Sequence, residues 1–136
     1  MVSKTITYTD YQGTERTETF FFNLTKAELI EMEYSTTGGL SAMIDKLISA
    51  IDIPEIIKIF KELIQKSYGV VSADGRRFIK NEEELLKFTQ TEAYSELFIE
   101  LSSNADFASE FITAIMPSVN EEEKEQIKKS LTEKGL

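Results

Sequence analysis

The spacing of apolar residues changes period once, at Thr25, and that single switch limits the chain to a short strand pair followed by helices. Before it, Thr5-Ile6-Thr7-Tyr8-Thr9 alternates polar and apolar residues, and Thr17-Glu18-Thr19-Phe20-Phe21-Phe22-Asn23-Leu24 continues the habit with Phe20, Phe22 and Leu24 on one face. Asp10-Tyr11-Gln12-Gly13-Thr14 supplies turn residues between them, with Gly13 available for a positive φ. These segments read as an antiparallel β-hairpin. A hairpin alone is marginal in water, so its apolar face must lie on helices or on another subunit.

From Thr25 onward the period is helical. Thr25-Lys26-Ala27-Glu28 offers a hydroxyl and a carboxylate three residues apart that satisfy each other's free amides, a helix start. That helix is expected to end near Tyr34 to Thr37, with Gly38-Gly39 as a corner. Leu40, Met43, Ile44, Leu47, Ile48 and Ile51 then trace a stripe at helical spacing. Pro54 suits a first turn, and Ile56, Ile59, Phe60, Leu63 and Ile64 form the strongest amphipathic stripe, opposite Lys58, Lys61, Glu62 and Gln65. Gly69 terminates this helix, Asp74-Gly75 marks a tight turn, and Phe78-Ile79 is a short extended flank of that turn.

Asn81 followed by Glu82-Glu83-Glu84 places a cap and three acids at the positive end of a helix carrying Leu85, Leu86 and Phe88. One more helix carries Tyr94, Leu97, Phe98 and Leu101, and another Phe107, Ala108, Phe111, Ile112 and Ile115, ending at Pro117. The expected fold is mainly α: a multi-helix domain with an N-terminal antiparallel β-hairpin. A chain of 136 residues is one domain's worth. It divides into a single domain over 1–117, with the hairpin at 4–24 and helices over 25–116, and a charged, helical, partly flexible C-terminal tail over 118–136. In that tail only Val119, Ile127 and Leu131 can act as anchors, so an ordering partner is expected for it.

The composition removes most catalytic chemistry. With no cysteine and no histidine there are no disulfides, thiolate or imidazole metal ligands, or Ser-His and Cys-His nucleophiles. Carboxylates remain, but the successive residues of Glu82-Glu83-Glu84 and Glu121-Glu122-Glu123 point in different directions on a helix and cannot converge on one ion. Asp74-Gly75 lacks the alternating oxygen ligands of a calcium loop, and Gly38-Gly39 lacks the following Lys-Ser/Thr of a phosphate loop. No enzyme, cofactor or metal is expected.

A net charge of −9 opposes nucleic acid and anionic membranes, and no apolar run approaches the ~20 residues of a membrane span. Met1-Val2-Ser3-Lys4 leads into a polar alternating segment and not into a secretory apolar core, which points to the cytoplasm. Two features suit a protein partner. Arg76-Arg77 is the only pair of adjacent arginines, placed on a turn where an acidic partner or a second copy can meet it. Phe98, Leu101, Phe111, Ile112, Ile115 and Met116 are candidates for an exposed groove that takes an apolar helix from another chain; closure of the core is their competing use.

The stretch Tyr68-Gly69-Val70-Val71-Ser72-Ala73-Asp74-Gly75-Arg76-Arg77-Phe78-Ile79-Lys80, with Thr89-Gln90-Thr91-Glu92-Ala93-Tyr94-Ser95-Glu96-Leu97-Phe98, resembles the tail assembly chaperones of long-tailed phages of Gram-positive bacteria. The resemblance extends back through Thr5 to Tyr8 and Phe20 to Leu29, and forward through Phe107 to Phe111 and Met116-Pro117. It implies a non-enzymatic protein of the bacterial host cytoplasm, absent from the mature virion, that binds the tape measure protein and keeps it soluble during tail morphogenesis. It also implies self-association into oligomers or helical assemblies. A longer, frameshifted form is implied as well, with Lys128-Lys129 where an A-rich slippery sequence would be decoded. Two alternatives compete: a virion structural or adaptor protein using its hairpin for subunit contacts, and an acidic DNA-mimic inhibitor, against which the interspersed lysines argue.

Overall fold

The computed structural model describes residues 1–33, 53–115 and 121–133. The stripe from Leu40 to Ile51, the Gly38-Gly39 corner, and Met116-Pro117 lie outside the described residues. Within them the chain is mainly helical behind an N-terminal strand pair: β1 (Val2–Thr9), β2 (Glu15–Phe22), α1 (Lys26–Glu33), α2 (Ile53–Ser67), β3 (Tyr68–Val71), β4 (Phe78–Ile79), α3 (Glu82–Thr89), α4 (Glu92–Ser103), α5 (Ala105–Ile115) and α6 (Glu121–Glu133).

β1 and β2 pair antiparallel in the register Val2↔Phe22 to Thr9↔Glu15. Asp10 closes the turn: its N–H donates to Thr14 O, its carboxylate accepts from the Gln12 and Thr14 amides and from Arg16, and Gly13 takes φ +83°. Phe22 and Leu24 are buried and Phe20 half-buried, the face expected from the alternation.

The sheet does not stop at the hairpin. Instead of merely ending a helix at Gly69, the chain passes from Ser67 directly into β3, which pairs antiparallel with β2 through Phe21↔Gly69 and Phe22↔Tyr68; β4 then pairs with β3. The result is a four-stranded sheet in the order β1-β2-β3-β4. Tyr68, Val70 and Val71 are good strand formers, and β2 supplies the free edge that a helix-period reading does not anticipate. Gly69 is needed for room, since a Cβ there would stand 2.5 Å from the Phe78 ring.

Local signals set the helix starts. At α1, Thr25 N–H donates to Glu28 and Glu28 N–H donates to Thr25 Oγ1, the reciprocal cap. Asn81 Oδ1 accepts from Glu84 N–H at α3, and Asn104 Oδ1 from Phe107 N–H at α5. The α2 stripe of Ile56, Ile59, Phe60, Leu63 and Ile64 is buried as its spacing predicts.

The core is bound together by rings. Tyr68 stacks on Phe88 with centroids 4.6 Å apart, Phe22 meets Phe88 at 5.8 Å and Phe111 at 5.2 Å, and Tyr94 links Phe88 to Phe98. Thus α3, α4 and α5 all close on the sheet's inner face. α6 lies against α5, with Leu131 fully buried and Lys128 paired to Asp106 at 2.6 Å.

Candidate functional site

Four of the residues expected to line an open groove are core. Leu101, Phe111, Ile112 and Ile115 are 1%, 3%, 1% and 0% exposed, because the sheet-facing side of α5 is taken by Phe22 and α6 lies against the same helix. Of that set within the described residues, only Phe98 is half-exposed, resting edge-on against Tyr94. Met116 lies outside the described residues. The helical spacing located the apolar face; it did not say that this same chain covers it.

Arg76 and Arg77 sit exposed on the β3–β4 turn. Ser72 Oγ donates to Asp74 and accepts from Arg77 N–H, and Gly75 takes φ +75°. These bonds hold the turn through the backbone and leave both guanidinium groups directed to solvent. The Asp74 carboxyl is held below its usual range by the Ser72 hydroxyl and the Arg76 amide.

A groove beside β1 is built from residues that no motif in the sequence marks. A groove of about 330 Å³ is lined by Lys4, Thr5, Ile6 and Thr7 of β1 and by Glu96, Ile99, Glu100 and Ser103 of α4. Consecutive strand residues point to opposite faces, so a space touching four in a row lies against the strand's edge. The pairing pattern fixes which backbone groups line that edge. Asp10 N–H donates to Thr14 O, so 10 and 14 form a hydrogen-bonded pair, and by alternation Tyr8, Ile6, Lys4 and Val2 bond to β2. Ser3, Thr5, Thr7 and Thr9 therefore direct their N–H and C=O groups away from it. The hydroxyl contacts Thr5–Thr19 at 2.9 Å and Thr7–Thr17 at 3.0 Å agree, since non-hydrogen-bonded pairs bring side chains closest. Among the described residues β1 pairs on one side only.

On the inner face of β1, Lys4 Nζ is 2.9 Å from Glu100 and 4.5 Å from the centre of the Phe107 ring, so its charge is neutralised and turned inward. Tyr8 donates to Glu18, and that bond, with burial and the Glu18 charge, pushes its phenol up to about 12. Ile99 stands 60% exposed at the rim. Its signal in the sequence was an isoleucine lying off the Tyr94, Leu97, Phe98, Leu101 stripe.

Among the described residues no group of three or more Asp or Glu could hold a metal ion, and no helix is long and apolar enough to cross a membrane. No buried side-chain polar atom among the described residues lacks a partner.

A family model described as phage tail assembly chaperone matches residues 1–134. Neither the curated proteins nor the solved structures contain a match. The chain belongs to the phage tail assembly chaperone family.

Proposed function

We propose that this phage tail assembly chaperone binds the tape measure protein in the host cytoplasm and keeps it soluble while the tail is built, without catalysing a reaction. The observation that carries this reading is the family match over residues 1–134, nearly the whole chain. The buried state of Phe111, Ile112 and Ile115 changes how a client helix would be received. α5 is the most apolar helix described, and its cover, α6, is largely charged. An apolar client helix taking α6's place would bury more apolar area, at roughly 25 cal/mol per Å² before ordering costs. Phe98, half-exposed on α4, is the candidate for its first contact.

Co-expression with the tape measure protein of the same genome tests the proposal. The client should move to the soluble fraction and co-purify. Lys128→Glu, which removes the ion pair to Asp106, should increase capture, and Phe98→Ser should reduce it with the fold intact. A client that stays insoluble beside abundant, folded protein would count against the chaperone reading. The open edge of β1 favours a second reading, a structural or adaptor role through the hairpin, which recovery of the protein from purified particles would support.

A further inference from the structure

We propose that the outer edge of β1 is a self-association surface: two copies join β1 to β1 antiparallel about a two-fold axis, making one continuous eight-stranded sheet.

Among the described residues the edge is long and unguarded. β1 runs eight residues, Val2–Thr9, and sheet edges are ordinarily protected by proline, a bulge, an outward charge or a covering element. β1 contains no proline, and its register with β2 runs unbroken from Val2 to Thr9. Its single charge, Lys4, faces inward onto Glu100. The groove shows open space beside Lys4 to Thr7. In a protein of net charge −9, β1 presents an uncharged row of N–H and C=O groups from Ser3, Thr5, Thr7 and Thr9.

The groove's chemistry selects a second copy as the occupant. An antiparallel strand with the β-forming sequence of β1 is itself a match for this edge, because each outward N–H faces an outward C=O under the two-fold operation. The axis runs perpendicular to the sheet, so both α4 helices stay on the same side and approach the seam together. Ile99, the apolar residue at the groove's rim, then gains an apolar partner in its own copy across the axis. A strand pair of about 26 Å plus one isoleucine contact is a small interface, which places the association in the weak, micromolar class.

The test is sedimentation velocity of the full chain from about 1 to about 200 μM, compared with variants that spare the β1–β2 ladder. Thr5→Pro and Thr7→Pro each remove an N–H that points away from β2, a position where proline is tolerated in an edge strand. The wild type should pass from monomer to dimer across this range. Each proline variant should remain monomeric with unchanged circular dichroism, and Ile99→Asp, on an exposed position, should weaken the dimer at least about tenfold. A wild type that stays monomeric throughout overturns the proposal. So does a dimer that persists unchanged in both proline variants and in Ile99→Asp. The readout contains no client, so its failure is distinct from failure of tape measure binding.

Discussion

Lys80 carries three N–H groups, and each meets a different part of the chain: Asn23 O after β2 at 2.7 Å, the Glu28 carboxylate of α1 at 2.7 Å, and Lys66 O in the last turn of α2 at 2.9 Å. A cation at the C-terminal end of α2 also suits that helix's dipole. Nothing local in the sequence marks this lysine, because its partners lie 57, 52 and 14 residues away. Lys80→Met should cost about 2–3 kcal/mol at neutral pH, from charge-assisted bonds lost in a half-buried place. The Glu28 carboxyl reveals the pH dependence. Burial would raise it, but the Lys80 hydrogen bond and the Thr25 amide outweigh burial and hold it below its usual value. A depressed carboxylate contributes stability that is present above its unfolded value and lost as pH falls through the folded one. Thermal unfolding of wild type and Lys80→Met should therefore differ most at pH 7, and the gap should narrow without closing as pH falls through the depressed Glu28 value, because the Lys80 bonds to Asn23 O and Lys66 O do not titrate. An equal gap at pH 7 and pH 3 would show that the carboxylate plays no part.

At the scale of elements, what local chemistry specifies was readable and what a distant partner specifies was not. The Thr25–Glu28 cap, the Asn81 cap and the α2 stripe need only neighbours within a turn or two, and each appears where its residues place it. β3 exists because β2 offers an edge to Tyr68–Val71 from across the sequence, and Gly69 is required by the Phe78 ring above it. Gly69→Ala should therefore cost about 1–2 kcal/mol through overpacking, and the cost should largely vanish when Phe78→Ala is added. Additive losses in that double-mutant cycle would rule out the ring contact as the cause. α5 shows the same limit in the candidate site. Its wheel has one strongly apolar face, and only the positions of Phe22 and α6 show that the face is occupied. Phe111→Asp should thus abolish folding, a loss on the order of 3–5 kcal/mol or more, whereas Phe98→Ser, which removes a half-exposed ring resting on Tyr94, should give a soluble, folded domain that loses only about 1–2 kcal/mol. If Phe111→Asp were soluble and fully folded, α5 would be an open surface after all.

For the whole molecule, charge and edge act in opposite directions. Each copy carries −9, so two copies repel at long range, while the β1 edge offers uncharged hydrogen-bonding groups at contact. Repulsion between distributed surface charges is screened over a Debye length of about 10 Å at 0.1 M salt, whereas backbone pairing is hardly affected. Self-association through β1 should therefore tighten as salt rises from about 20 to about 300 mM, the reverse of an interface held by ion pairs. Arg76-Arg77 gives the competing case: if these exposed guanidinium groups met the acidic surface of a second copy, added salt would weaken the complex and Arg76→Ala with Arg77→Ala would dissolve it. Sedimentation across that salt range separates the two modes. A dimer strengthened by salt and insensitive to loss of both arginines belongs to the strand edge. One weakened by salt and lost with the arginines would move the interface to the β3–β4 turn, leaving the groove beside Ile99 without a second copy.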